Sequence, residues 1–148
     1  MEKTSVLVLL AEDEAEIRSI LEITFEEGGF DVVLVSTGEQ AIEALDAQGE
    51  DLRAVVTDIK LGGNVSGWDV ARHARELKAD MPVVYMTGSE GKDWASLGVP
   101  NSILISKPFA PSFWSALIVS RTPCTYRSAS SPISTFFSSF VIAGSPSR

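Results

Sequence analysis

Apolar residues in the first 107 positions form short runs that alternate with segments of helical periodicity. Short apolar runs between turn residues are typical of buried strands, whereas apolar residues three and four apart predict amphipathic helices. The predicted strands lie at residues 6–10, 32–35, 54–57, 83–86 and 102–106. Strands that alternate with helices of this length favour a parallel sheet covered on both faces, so we predict a doubly wound α/β domain.

Short polar motifs mark where the helices begin. Thr37 followed by Gln40 has the spacing of a capping box, which satisfies free N–H groups of a first helical turn. Ser66 and Asp69 predict the start of the third helix in the same way. The residues predicted to face inward from the first three helices are Ile17, Ile20, Leu21, Phe25, Ala41, Ile42, Leu45, Val70, Ala74 and Leu77. Between strands four and five, flanking glycines allow only a short helix over 93–97.

Composition narrows the class of protein. The chain has 148 residues, 45% of them hydrophobic and 22% charged, which fits one globular domain. A net charge of -8 argues against a nucleic-acid-binding surface. The single cysteine, Cys124, excludes an internal disulfide and fits a reducing compartment. The first apolar run is too short for a secretory signal and no run reaches the ~18 residues of a membrane span, so we expect a cytoplasmic protein without membrane partners.

The carboxyl ends of the predicted strands carry the candidate chemistry. In a parallel sheet these ends share one edge, so residues far apart in sequence can converge there. The end residues are Glu12 and Asp13 after strand one, Asp58 after strand three, Thr87 and Gly88 after strand four, and Lys107 after strand five. We therefore expect three carboxylates, a hydroxyl and an ammonium group at one edge of the sheet.

Asp58 is the candidate nucleophile of this set. Three carboxylates repel one another unless a cation neutralises them, and Mg2+ accepts carboxylate oxygens together with a phosphate. Lys107 supplies a positive charge for a phosphate oxygen, and the hydroxyl of Thr87 can donate to another. A carboxylate can attack phosphorus and form an acyl phosphate. The residues therefore indicate phosphoryl transfer to Asp58.

Four strand-end motifs carry a family resemblance. They are Leu10-Ala11-Glu12-Asp13-Glu14, Val56-Thr57-Asp58-Ile59, Met86-Thr87-Gly88 and Ser106-Lys107-Pro108-Phe109. Each motif alone is weak, but all four occur in order, and over about residues 4–110 the chain resembles the receiver domain of two-component response regulators. The resemblance implies a flavodoxin-like sheet of five parallel strands in the order 2-1-3-4-5. It also implies a phosphoacceptor signalling domain rather than an enzyme acting on other substrates.

The resemblance further implies a role for each site residue. Asp58 would accept phosphate from a sensor histidine kinase or a histidine phosphotransfer protein. The Mg2+ ligands would be Asp13, Asp58, the backbone carbonyl of Lys60 and, through water, Glu12. Lys107 and Thr87 would contact the phosphoryl group. The backbone N–H groups of Ile59 and Gly88 would complete its cradle.

Two departures from the family pattern lie near this site. The loop at residues 61–67 is glycine-rich and one residue longer than usual, which makes it more mobile and indicates tuning of the phosphoryl lifetime rather than loss of the site. Leu104 stands where receivers carry the Tyr or Phe that turns inward when the threonine moves. Tyr85 shares a strand face with Thr87 and is an alternative for that ring, although the favoured interpretation is a core tyrosine.

Residues 110–148 differ in composition from the chain before them. They contain 11 serines and no acidic residue. A helix over 112–120 would be apolar all round, which is unusual for a surface helix. We predict a receiver domain over residues 1–120 and an atypical Ser/Pro-rich tail over 121–148. Two origins of the tail stay open: a loosely ordered partner-binding segment, or translation in a shifted reading frame.

Other functional classes share parts of the pattern. A haloacid-dehalogenase-like phosphatase needs a second aspartate two residues after the nucleophile, where this chain has Lys60. A flavodoxin-like FMN carrier needs a phosphate loop after strand one, where Glu12, Asp13 and Glu14 would repel the phosphate. We expect a single-domain regulator that signals by docking a partner on its fourth helix, fifth strand and fifth helix, without binding nucleic acid. A degenerate receiver that binds partners without phosphorylation is the alternative.

Overall fold

The computed structural model describes residues 6–27, 29–88 and 90–106. Strands and helices alternate along the chain as the apolar pattern predicted. The elements are β1 (Val6–Ala11), α1 (Ala15–Glu27), β2 (Phe30–Val35), α2 (Gly38–Gln48), β3 (Leu52–Asp58), α3 (Gly67–Leu77), β4 (Val83–Thr87), a 3-10 turn (Glu90–Asp93), α4 (Trp94–Leu97) and β5 (Ile103–Ser106). All five predicted strands are present, and the short predicted helix before the last strand is α4.

The five strands form one parallel sheet in the order β2-β1-β3-β4-β5. This order confirms the flavodoxin-like arrangement. The pairs nearest the carboxyl edge are Ala11 with Thr57, Asp58 with Met86, and Thr87 with Ser106. Because these strands end at nearly the same level, the residues that follow them lie along one edge.

Two apolar cores cover the two faces of the sheet. One contains residues of α2 and α3 together with Leu9, Val55 and Tyr85 from the strands. The other contains Leu21 and Phe25 of α1 against the opposite face. Burial on both faces explains why the strands read as continuous apolar runs rather than as alternating ones.

The two predicted helix starts differ in their caps. At α3 the capping box is complete, because Ser66 accepts from the N–H of Asp69 and Asp69 accepts from the N–H of Ser66. At α2 the side chain of Thr37 accepts from the N–H of Gln40, as predicted. The side chain of Gln40, however, accepts from the N–H of Ser36 at 3.0 Å. The reciprocal half of the second helix's box is therefore made one residue earlier than predicted.

Most residues predicted to face inward do so, and two do not. Ile20 is 49% exposed because Leu21 and Phe25, four residues apart, form the stripe of α1 that meets the sheet. Leu77 is 51% exposed because it is the last residue of α3. The predicted helix over 112–120 and the predicted tail lie outside the described residues. Among the helices that the structure describes, none combines the length and apolar character of a membrane span.

Candidate functional site

Three carboxylates meet at the carboxyl edge of the sheet. Glu12 is fully buried after β1, Asp13 beside it is exposed, and Asp58 at the end of β3 is only 6% exposed. One carboxylate oxygen from each lies within 4.8 Å of those from the other two. We call these three residues the acid cluster. Several oxygens at this separation suit a hard divalent cation such as Mg2+, so the residues fit the predicted metal.

The β1–α1 loop is held by hydrogen bonds on both sides of Asp13. The N–H of Glu14 donates to Oε1 of Glu12 at 3.0 Å. Nη1 of Arg18, in the first turns of α1, donates to the carbonyl oxygen of Glu12 at 2.9 Å. These bonds fix the backbone from which the acid cluster projects. The sequence reasoning missed Arg18, for which the only signal was a basic side chain in an otherwise acidic stretch.

The two residues that follow Asp58 direct their backbone N–H groups to different acceptors. The N–H of Lys60 lies 3.4 Å from Oδ1 of Asp58, which is a long hydrogen bond. The N–H of Ile59 donates to the carbonyl oxygen of Met86 at 3.0 Å and so continues the β3–β4 ladder. The N–H of Lys60 is therefore one donor that faces the carboxylate, and the predicted phosphate contact of Ile59 requires its hydrogen bond to Met86 to be exchanged.

The backbone of Gly67 packs closely against the backbone of Asp58 and Ile59. Its N–H donates to the carbonyl oxygen of Ile59 at 2.8 Å. A Cβ atom at Gly67 would lie 2.1 Å from the carbonyl oxygen of Asp58. The first residue of α3 must therefore be glycine for the helix to start this close to β3. This support was not predicted, since the glycine stands nine residues after the aspartate in a loop rich in glycine.

Thr87 and Gly88 complete the described part of the edge. Thr87 is buried at the end of β4, where it pairs with Ser106 of β5. Gly88 is exposed, and within the described part of the chain a Cβ placed on it would find no heavy atom within 4 Å. Lys107, predicted at the same edge, lies outside the described residues.

Tyr85 is a core residue, as the favoured interpretation held. It is fully buried, and its ring lies 4.7 Å from that of Trp68. Its hydroxyl oxygen accepts a hydrogen bond from the N–H of Val99 at 3.1 Å. Burial raises the pKa of the Tyr85 phenol, so the hydroxyl stays protonated at neutral pH. Leu104 is partly buried and packs against the same apolar core.

Comparisons with known proteins agree with this geometry. A family model described as response regulator receiver domain matches residues 8–115. The chain is similar to a response regulator receiver protein from Sinorhizobium medicae, at 44% identity and a TM-score of 0.72, covering 79% of this chain and 93% of that one. It is 28% identical to the response regulator SaeR of Staphylococcus epidermidis, over 70% of this chain and 44% of SaeR.

A second curated relative is the alkaline phosphatase synthesis transcriptional regulatory protein PhoP of Bacillus subtilis. The identity is 28%, over 70% of this chain and 43% of that protein. The chain thus spans less than half the length of these two relatives.

Proposed function

Because the chain belongs to the response regulator receiver family, we propose that it accepts a phosphoryl group on Asp58 from a sensor histidine kinase or a histidine phosphotransfer protein. The acid cluster carries this proposal, since it places a nearly buried carboxylate beside two others. In the transfer, an oxygen of Asp58 bonds to phosphorus. The phosphorus–nitrogen bond of the donor phosphohistidine breaks, and its electron pair stays on the imidazole nitrogen.

The acid cluster would hold Mg2+ during this step. Asp13, Asp58 and the carbonyl of Lys60 are the proposed ligands, and Glu12 acts through water. Bound Mg2+ supplies positive charge to the oxygens of the transferred group. Within the protein, the bond from Arg18 to the carbonyl of Glu12 keeps this cluster oriented.

The remaining edge residues would contact the phosphoryl oxygens. The hydroxyl of Thr87 donates one hydrogen bond and the ammonium group of Lys107 supplies a charge. The N–H groups of Gly88 and Ile59 complete the cradle, the latter after leaving the carbonyl of Met86. Each of these groups neutralises charge on the oxygens, which is the main task of the protein in phosphoryl transfer.

Signal output would follow from docking of a partner protein on α4, β5 and the predicted fifth helix. Trp94 and Leu97 are exposed on α4, which supports an apolar contact there. The fifth helix falls outside the described residues. We further propose that the domain has no catalytic activity beyond its own phosphorylation and dephosphorylation, and that it acts in the cytoplasm.

A second candidate function is partner binding without phosphorylation. Leu104 provides no ring to follow a movement of Thr87. Tyr85 packs against Trp68 in the core and accepts a hydrogen bond from the N–H of Val99, so it does not supply that ring either. This observation favours a receiver whose output face does not depend on the acyl phosphate.

Incubation with Mg2+ and acetyl phosphate distinguishes the two. We expect intact-protein mass spectrometry to show one covalent phosphoryl adduct, which is absent from Asp58→Asn and kept in Asp51→Asn, a change at an exposed residue before β3. An adduct that survives in Asp58→Asn would contradict the proposed site. No adduct on the unaltered protein would favour the second candidate.

A further inference from the structure

The loop that follows Asp58 is fastened to the start of α2. We call residues 59–66 the β3–α3 loop. The N–H of Asn64 donates to Oε1 of Glu39 at 2.9 Å, across 25 positions of sequence. Gly62 forms an isolated parallel bridge with Thr37, just after β2. These contacts join the loop to the start of α2, the helix that follows β2. In the sheet, β2 is separated from β3 by β1.

Gly63 is shaped around the carboxylate of Glu39. Its φ of 95° is in the left-handed region, which favours glycine. A Cβ atom there would lie 2.6 Å from Oε2 and 2.8 Å from Oε1 of Glu39. The backbone conformation therefore favours glycine at this position, and a side chain there would displace the carboxylate of Glu39. The loop contains more glycine than the family pattern, and one of these glycines, Gly63, lies directly against the carboxylate of Glu39.

The contact between Glu39 and the loop is electrostatic. Glu39 is exposed, so burial of apolar surface does not explain its position. Hydrogen bonding from the backbone N–H of Asn64 is the main cause that lowers the pKa of Glu39. The carboxylate is therefore ionised at neutral pH and makes a charge-assisted hydrogen bond to the loop.

The Glu39–Asn64 hydrogen bond is one of three contacts that hold the middle of the β3–α3 loop, beside the bridge of Gly62 with Thr37 and the packing of Val65 against Gly38. On one side, Leu61 is buried in the core. On the other, Ser66 caps α3. Between them, Gly62 and Gly63 have no side chains with which to pack, and glycine gains more conformational freedom than other residues when its contacts are lost.

We propose that Glu39 is a positioning residue for the metal site: by holding the N–H of Asn64 it keeps the β3–α3 loop, and with it the backbone of Lys60, in place beside Asp58. The inference rests on the proposed function, in which the carbonyl of Lys60 is a Mg2+ ligand. Glu39 touches neither the metal nor the phosphoryl group. Its effect is on metal affinity.

Three variants of the full chain test this role. Glu39→Ala removes the acceptor, Glu39→Gln keeps an amide oxygen that can still accept from Asn64, and Glu43→Ala removes the same charge from an exposed position one turn further along α2. Isothermal titration with MgCl2 should show about threefold to fivefold weaker binding in Glu39→Ala, as expected for one lost hydrogen bond. Glu39→Gln should recover part of the affinity, and Glu43→Ala should match the unaltered protein.

Two further measurements separate positioning from general stability. Amide hydrogen exchange by NMR should be faster at Asn64 in Glu39→Ala, while the thermal unfolding midpoint falls by only about 2–4 °C, as expected for one hydrogen bond and one charge in a first helical turn. Adduct formation from acetyl phosphate should be slower at limiting Mg2+ and restored at saturating Mg2+.

Equal Mg2+ affinity in Glu39→Ala and Glu43→Ala would overturn the proposal, whatever the exchange rate of Asn64. So would a loss of affinity in Glu39→Ala that Glu39→Gln shares in full, since the hydrogen bond would then not be its cause. If the unaltered protein binds Mg2+ but forms no Asp58 adduct, the proposed function fails, and the titration and exchange results still decide the role of Glu39.

Discussion

The two segments that leave the site edge after β3 and β4 are attached to the domain in different ways. The β3–α3 loop is fastened along its length. Gly67 lies against the carbonyl of Asp58, Asn64 donates to Glu39, and Ser66 closes a complete capping box. Contacts with other elements thus lie at the beginning, the middle and the end of this loop.

The β4–α4 segment, residues 88–98, has fewer attachments in its described part. Helix α4 has four residues, none of them buried. The indole Nε1 of Trp94 donates to Oγ of Ser102 at 3.0 Å, on the surface. Beyond the segment, Val99 is buried and bonded to Tyr85. Segments with few buried contacts open at low free energy. We therefore expect conformational change at the site to fall on the β4–α4 segment, while the loop after Asp58 stays in place.

The largest effect should come from Gly67→Ala. The new Cβ would meet backbone atoms of Asp58 and Ile59 within 3 Å, and these atoms cannot rotate away. We expect a loss of about 3 kcal/mol in the free energy of unfolding, measured by urea denaturation, together with weaker Mg2+ binding. Gly62→Ala is the control, because a Cβ there finds no heavy atom of the described residues within 4 Å. If the two variants are equally stable, the close packing of Gly67 against Asp58 and Ile59 does not hold the β3–α3 loop in place.

Tyr85→Phe should have the next largest effect. The change leaves the N–H of Val99 buried without its acceptor, which costs about 2 kcal/mol. Thr24→Val is the control, since it removes a hydroxyl bond to Ile20 that is exposed to water. If both variants lose the same stability in urea, the bond from Tyr85 does not anchor the end of the β4–α4 segment.

The charge of Asp69 should strengthen the cap of α3 by up to about 1 kcal/mol, and this part is lost in Asp69→Asn at neutral pH, where the amide oxygen can still accept from Ser66. Hydrogen bonding from Ser66 lowers the pKa of Asp69 from 3.8. A lowered pKa in the folded state means that this stability is present above pH 3.8 and disappears as the pH falls through the folded value. Urea denaturation of both proteins should therefore converge below pH 3.8. A constant difference at all pH values would show that ionisation of Asp69 plays no part.

The smallest effect should come from Trp94→Phe. It removes the exposed hydrogen bond to Ser102 and part of the partly exposed indole ring beside Gly98, and should cost less than about 0.5 kcal/mol. Thermal unfolding against the unaltered protein measures this difference. A cost as large as that of Asp69→Asn would mean that α4 is held as firmly as the β3–α3 loop, and the contrast between the two segments would fail.

The sequence by itself determined the elements of the fold and the makeup of the acid cluster. Continuous apolar runs require burial on both faces, so they predict a covered parallel sheet without knowledge of the packing. Glu12, Asp13 and Asp58 were predicted to converge because strand ends of a parallel sheet share an edge, and they do. The prediction of inward-facing residues was wrong at two positions. At Ile20 the face of α1 that meets the sheet does not include every apolar residue of the helix, and at Leu77 the helix ends.

Only the tertiary structure decided which residues support that cluster. Arg18, Gly67 and Glu39 contact backbone groups of other residues. Because nearly every residue has the same backbone donor and acceptor, the sequence does not show which of them will be contacted. Glu39 and Asn64 are 25 positions apart, and their contact depends on how α2 lies beside the β3–α3 loop. Periodicity states which face of an element is buried, whereas the distance between two polar groups is set by the packing of whole elements. The convergence of the three carboxylates was therefore readable in advance, and the residues that support them were not.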